Sequence, residues 1–294
     1  MQIISTLSEL RAQVATWRQA GDRISLVPTM GNLHAGHLYL MEQARRLADR
    51  SMASIFVNPT QFGPSEDYQS YPRTLEADCH QLQRVGLDGL FAPGVAEVYP
   101  RPLETMSQVQ VPGLSGILCG AHRPGHFQGV ATVVTKLLNM VRPDVALFGE
   151  KDWQQLIVIR RLTEDLNLPV EIVGIPTVRE NDGLAMSSRN AYLTPAERSL
   201  APHLYRVLSQ MARRVEAGER DYPGLQAGAL AELQDLGFRV DYIEVRRADD
   251  LMPPGPGDRE LRVLAAAYLG KARLIDNCPV ILPASGVVRG TDAW

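Results

Sequence analysis

The chain has 294 residues, 45% of them hydrophobic, enough to bury a substantial core in one large domain or two smaller ones. Lys and Arg number 30 against 33 Asp and Glu, so no chain-wide basic field is available to hold nucleic acid and any anion site must be local. Cys79, Cys119 and Cys278 lie far apart, form no CxxC pair and are odd in number, which argues against a disulfide framework or a zinc site. The opening MQIISTLSELRAQ has no basic-then-apolar leader pattern, and no apolar run approaches the roughly 20 residues of a spanning helix, so a soluble, untargeted, cytoplasmic protein is expected.

In chain order, short β-branched runs alternate with helical stretches up to about residue 176: the strands RISLVP, MASIFVN, LDGLFAP, DVALFG and VEIVGIP are predicted. Between the first two, HLYLMEQARRLADR places Leu40, Met41, Ala44, Leu47 and Ala48 at helical spacing, completing a βαβ unit. TLEADCHQLQRVG and EKDWQQLIVIRRLTEDLN are the next two helices. The pattern implies an α/β class, a Rossmann-like doubly wound parallel sheet over residues 1–176. Beyond Pro176, the stretch TPAERSLAPHLYRVLSQMARRVEAG and a segment near residues 223–236 read as helices without intervening strands. FRVDYIEVR, RELRVLAAAYL and KARLIDN then read as a small antiparallel sheet with a turn at Gly270. This gives a smaller C-terminal α+β domain over residues 177–282. Residues 283–294 show little periodicity and read as a tail.

Ligands of open parallel sheets bind beyond the carboxyl ends of the strands, so the residues after each strand are the candidates. PTMGNLHAGH, Pro28 to His37, joins the first strand to a helix: Gly31 and Gly36 permit close backbone approach, the helix start offers free N–H groups, and His34 and His37 can project together. Imidazoles there can donate to phosphate oxygens. In GEKDWQQ, Gly149 to Gln155, Lys151 can reach a phosphate, whereas Glu150 and Asp152 also suit the first turn of a helix. Gln155 presents an amide one turn on. In VNPTQF, Asn58, Pro59 and Thr60 fit a turn, and Gln61 offers a neutral amide for hydroxyls and for a carboxylate that must stay nucleophilic. MSSRN, Met186 to Asn190, sets two hydroxyls and a guanidinium in a glycine-containing segment, as either a phosphate flap or an ST-turn.

HxGH after a first strand with a Ser/Lys/Arg-type motif after a late strand resembles the nucleotidyltransferase superfamily that includes class I aminoacyl-tRNA synthetases. PTMGNLHAGH, FVNPTQF, YPRT, HFQGVATVV, FGEKDWQQ and MSSRN, in this order, resemble more narrowly the pantoate–β-alanine ligases, the pantothenate synthetase family. The resemblance implies ATP-dependent ligation of (R)-pantoate to β-alanine through a pantoyl adenylate, with release of AMP and pyrophosphate and with Mg2+ accompanying ATP. It implies His34, His37 and Lys151 as catalytic residues, His37 as a proton donor. Met30, Gly31, Gly36, Gly149, Glu150, Asp152, Val178, Met186, Ser187, Ser188 and Arg189 would complete the ATP site. Gln61 and Gln155, with Met30 at the border, would hold pantoate, Gln61 also facing β-alanine. It further implies a homodimer, a nucleotide- and pantoate-binding first domain, and a lid-like second one.

Asp78 stands near the family's metal but also fits its helix, so metal ligands stay unassigned. Gln128 stands where some relatives carry arginine. His122 and His126 share its loop and are left without a role, while His80 and His203 fall on helices. Two other readings remain open: transfer of AMP to a phosphate, which needs more basic residues around Gln61, and a nucleotide-binding regulatory module without chemistry. A tRNA synthetase is disfavoured because no basic surface is apparent.

Overall fold

The computed structural model describes residues 1–64 and 66–283, so the expected tail lies outside the described residues except for Pro283. Two compact units emerge, Met1–Leu193 and Thr194–Trp294. The division falls after Leu193, later than the expected Pro176. The segment between turns back on itself with a bridge between Arg179 and Ala185, and it is held to the first unit where the Ser188 hydroxyl donates to the Asn32 carbonyl at 3.0 Å.

The first unit contains β1 Gln2–Ile4, α1 Leu7–Gln19, β2 Ile24–Thr29, α2 Ala35–Leu47, β3 Arg50–Ile55, α3 Leu75–Val85 and β4 Gly89–Phe91. It continues through two short helices, α4 Val95–Val98 and α5 Cys119–His122, to α6 His126–Val141, β5 Val145–Gly149, α7 Trp153–Asp165 and β6 Glu171–Ile175. The strands form one sheet in the order β1-β4-β3-β2-β5-β6, and every pairing is parallel. α2 and α3 cover one face, where Val27, Met41, Ala44, Leu82, Leu90 and Leu147 share a core cluster. α6 contacts β2, α1 and α7. The expected Rossmann-like doubly wound sheet is present.

Besides the short β1, α4 and α5, two longer elements escaped the sequence pattern, for different reasons. α1 is amphipathic and opens with a capping box, Thr6 and Glu9, but lies in a segment read only for targeting signals. α6 is rich in β-branched residues, and ten of its sixteen residues are buried, among them Val130, Val133, Val134 and Leu137. Its buried residues recur at helical spacing, but the β-branched run VATVV favours a strand by propensity and obscures that period.

The sheet opens at one place. β2 pairs with β3 as far as Thr29 with Ile55, and β5 with β6 as far as Gly149 with Ile175, but β2 and β5 pair only at Ser25–Val145 and Leu26–Ala146. Peptide groups of alternate β2 residues face alternate neighbours: the Thr29 carbonyl accepts from Phe56 after β3, and the Ile24 carbonyl from Asp144 before β5. By that alternation the next ladder donor toward β5 belongs to residue 28, a proline without an N–H. The ladder therefore stops, and the carboxyl ends of β2 and β5 part. The strand order also reverses there, with β3 on one side of β2 and β5 on the other.

The second unit comprises α8 Pro195–Leu200, α9 His203–Glu216, α10 Tyr222–Asp235 and the strands β7 Arg239–Arg247, β8 Glu260–Leu269 and β9 Ala272–Ile281. The strands form the expected antiparallel sheet, contacted by α9 and α10. The single helix expected from Thr194 to Gly218 is interrupted at Ala201 and Pro202, since a proline cannot continue the ladder into α9.

Gly129 lets α6 press directly on the turn after β3: a Cβ there would lie 2.3 Å from the Thr60 carbonyl oxygen and 2.7 Å from the Gln61 nitrogen. Gly129→Ala is expected to cost about 1–3 kcal/mol, the usual range for overpacking, with urea denaturation as the check.

Candidate active site

The two histidines, Gln61, Lys151 and Gln155 follow strand ends at this opening. After β2, residues 30–34 turn into α2, with His34 at its N-cap. The His37 Nδ1 accepts the His34 backbone N–H at 3.4 Å, which puts the proton of a neutral ring on Nε2. The two rings lie 4.0 Å apart between centroids. Burial, then the neighbouring Lys151 charge, lowers His34 to about 4. Burial, then His34 and Lys151, lowers His37 to about 3. Both imidazoles are therefore neutral at pH 7, and His37 can still donate through Nε2–H. His34 Nδ1 is buried with no hydrogen-bond partner in the protein, the kind of polar atom that a ligand commonly satisfies.

After β3 the chain makes a single 3-10 turn, Pro59–Gln61, capped by Asn58. Asn58 is buried, and its amide orientation is fixed from several sides. Its Oδ1 accepts from the Tyr99 hydroxyl at 2.8 Å and the Thr60 hydroxyl at 2.9 Å, while its Nδ2 donates to the Gly129 carbonyl at 3.2 Å and to Gln61 Oε1 at 3.0 Å. Gln61 is left with Nε2 directed toward Met30 Sδ, 3.2 Å away.

His126 has a definite role here: Arg123 donates to its Nε2 at 3.0 Å, so its Nδ1–H donates to the Gln61 carbonyl at 2.8 Å. Burial, then the Arg123 charge, lowers His126 to about 4. Gln128, by contrast, is half-buried, pairs with Gln108 and lines a different cavity.

After β5 a 3-10 turn, Glu150–Asp152, carries Lys151 and leads into α7. The Lys151 Nζ stands 3.9 Å from Asp152 Oδ2. The adjacent glutamines separate in function. Gln154 is buried and bonds to Cys119 N and to the Leu114 and Ile117 carbonyls, whereas Gln155 faces the opening. In the MSSRN segment, Ser187 Oγ accepts the Arg189 N–H as an ST cap. Arg189 donates to Asp67 at 3.1 Å and lies 5.9 Å from the Tyr71 ring centre.

Two adjoining cavities occupy the opening, of about 200 and 130 Å³, and share Pro28, His34, His37, Phe148, Lys151, Asp152 and Gln155 in their walls. Met30, Gln61, Ser187, Ser188 and Arg189 line the larger, with the apolar Val130, Val133, Val134 and Leu137 of α6. Gly36, Gly149, Val178 and Met186 line the smaller. Of the residues expected from sequence, Gly31 and Glu150 line neither. Gly31 faces Asp78 and Ile55, and the Glu150 stem lies over Gly174. The α6 wall was missed along with its helix, although Val130, Val133, Val134 and Leu137 recur at i, i+3, i+4 and i+7.

A Rossmann-like sheet with HxGH at its reversal point, and with lysine and MSSR segments converging on it, defines a nucleotidyltransferase of the HxGH type. The family model for pantoate-beta-alanine ligase matches residues 2–279, and the chain belongs to that family. It is a ligase of pantothenate biosynthesis. It is 58% identical to the pantothenate synthetase of Thioalkalivibrio sulfidiphilus over 97% of this chain and 100% of the relative. The crystal structure of pantothenate synthetase from Thermus thermophilus superposes with a TM-score of 0.88 at 47% identity, over 96% of this chain and 100% of that one. The pantoate-beta-alanine ligase from Francisella tularensis, crystallised with beta-gamma ATP and beta-alanine, gives 0.79 at 33% identity, over 95% and 97%. No helix among the described residues is long and apolar enough to cross a membrane.

The three depressed histidines set a pH dependence. Their native values of about 4, 3 and 4 lie below the unfolded value near 6.5, so below pH 6.5 the unfolded chain takes up protons that the native chain refuses. Stability is thus present above pH 6.5 and lost as pH falls toward 4, by up to about 1.4 kcal/mol per pH unit for each group. His126→Asn is expected to remove about one such increment from the slope of unfolding free energy between pH 6 and 4.5, read by urea denaturation at several pH values.

Proposed function

We propose that this chain joins pantoate to β-alanine in two steps, consuming ATP and releasing AMP and pyrophosphate. The observation that carries this reading is the pair of adjoining cavities whose shared wall holds His34, His37 and Lys151. In this reading, pantoate takes the larger lobe, its geminal methyls against the α6 valines and its hydroxyls and carboxylate on the amides of Gln61 and Gln155. The adenosine takes the smaller lobe beside Gly36, Gly149, Val178 and Met186. The α-phosphate then falls at the shared wall.

A carboxylate of ordinary pKa, about 4, is ionised at neutral pH and needs no general base. Neutral amides hold it without quenching its charge, so it attacks the α-phosphate. Lys151 and the Nε2–H of His37 stabilise the charge that develops there, and pyrophosphate leaves toward Ser187, Ser188 and Arg189. The β-alanine amine, deprotonated, then attacks the acyl carbon of the adenylate and AMP departs.

No cluster of three or more metal-ligating side chains occurs among the described residues. That donor set fits Mg2+ carried on phosphate oxygens with a single carboxylate, Asp152, in reach. When bound, Mg2+ supplies neutralisation of phosphate charge. Transfer of AMP to a phosphate is disfavoured, since Arg123, the cation near Gln61, is paired with Glu66 at 2.6 Å. The family resemblance also carries the proposals of a homodimer and a cytoplasmic location.

The test is pyrophosphate and AMP release from purified protein with ATP and Mg2+. Pantoate alone should give a stoichiometric burst of pyrophosphate, and pantoate with β-alanine should give sustained AMP release. Turnover indifferent to pantoate rules the reading out. His37→Ala is expected to slow the burst by about 100-fold or more while shifting the melting temperature by only a few degrees; equal losses of activity and stability would make His37 structural.

A further inference from the structure

The turn that delivers His34 contains two successive residues with positive φ, Gly31 at 79° and Asn32 at 51°. Left-handed backbone at a residue other than glycine is uncommon and costs energy, and successive N–H groups in such a turn converge into a concavity that favours an anion. Here the anion is internal. Asp78, on α3, is 1% exposed. Its Oδ2 accepts the Asn32 N–H at 2.9 Å and the Thr74 hydroxyl at 3.1 Å, and its Oδ1 accepts the Leu33 N–H at 2.8 Å. Thr74 occupies the N-cap position of α3 but makes no side-chain cap bond; its hydroxyl serves Asp78 instead. A Cβ on Gly31 would lie 3.0 Å from Asp78 Oδ2, so the turn is drawn tight onto the carboxylate. Asp78 lines neither cavity of the active site.

We infer that Asp78 is a positioning residue: it holds the 30–34 turn in its left-handed form and so sets His34 and, through the His34 N–H, the ring of His37. Both carboxylate oxygens are already used, and the group is closed off from the pocket, so it acts through the turn and not as a ligand of Mg2+. This rests on the two-step reading above for its catalytic consequence, whereas the anchoring itself is testable without turnover.

Asp78→Asn keeps the size of the side chain but replaces one acceptor oxygen by an NH2 that opposes a backbone N–H. In the substrate-free variant, fragments spanning residues 30–34 should exchange amide hydrogens at least 10-fold faster, with α7 unchanged. The pantoate-dependent burst should slow by 10- to 100-fold, with KM for pantoate within about threefold and the Mg2+ concentration for half-activation within about twofold of the parent. If Asp78→Asn fails to fold, Thr74→Val removes one contact to the same oxygen and should give the same pattern at smaller amplitude. Unchanged exchange in residues 30–34 in a folded variant overturns the anchor. A 10-fold rise in the Mg2+ requirement overturns it in favour of a metal role, and a burst as fast as the parent's with loosened amides overturns the catalytic consequence. If the parent protein shows no pantoate-dependent burst, the two-step reading fails while the exchange measurement still decides the anchor.

Discussion

A missing hydrogen-bond donor organises this molecule. Pro28 removes the N–H with which β2 would next bond β5, and the two strands part beyond Leu26 and Ala146 while each stays paired to its other neighbour. The loop carrying the histidines and the turn carrying Lys151 therefore face each other across a gap and not across a ladder. Pro28 and Phe148 line both cavities in that gap. The reversal of strand order at the same pair keeps a crossover from covering it.

Closing the gap with apolar walls changes what its charged groups can be. Desolvation, reinforced by Lys151, leaves His34 and His37 neutral. The guanidinium of Arg189 is engaged by Asp67 and that of Arg123 by Glu66. On the proposed reading, attraction for ATP then rests on Lys151, which also stands 3.9 Å from Asp152, on Arg189, on backbone N–H groups and on the polarity of neutral imidazoles. On the same reading, phosphate charge arriving beside Lys151 opposes its effect on the histidines, which links binding to proton uptake in this pocket.

Much of this is legible in the sequence because the relevant signals are local. HxGH between a strand and an amphipathic helix, lysine after a buried strand and the paired serines each declare themselves within about ten residues, the span of a strand end and the turn that follows it. Gln61 was legible for its place after a strand, and Gln155 was separable from Gln154 only as the residue one turn into a helix. What was illegible is long-range. Asn58 read as a turn residue, and only contact with Tyr99 and Gly129 makes its amide the device that orients Gln61. His126 acquires a tautomer from Arg123 and a task from the Gln61 carbonyl, a pairing separated by 65 positions. α6 hid because its β-branched run VATVV reads as a strand by propensity, although its apolar residues keep helical spacing. The unit boundary was misplaced because the strand pattern ends at Ile175, whereas the following segment turns back to bond the loop at Asn32.

The orientation of Gln61 links these levels. An amide can present either its oxygen or its nitrogen, and a free glutamine presents both to any ligand. Asn58, locked by two hydroxyls and the Gly129 carbonyl, donates to Gln61 Oε1 and leaves Nε2 as the face toward Met30 and the cavity. The turn backbone is held independently by His126 and by the close approach of Gly129. A donor fixed in this way favours a ligand oxygen and, being uncharged, leaves a carboxylate its nucleophilic charge, where a guanidinium would bind that charge more strongly in the ground state than in the transition state. On the proposed reading, the selectivity of the larger cavity for a hydroxy acid thus begins with α6, whose small residue at 129 allows the contact.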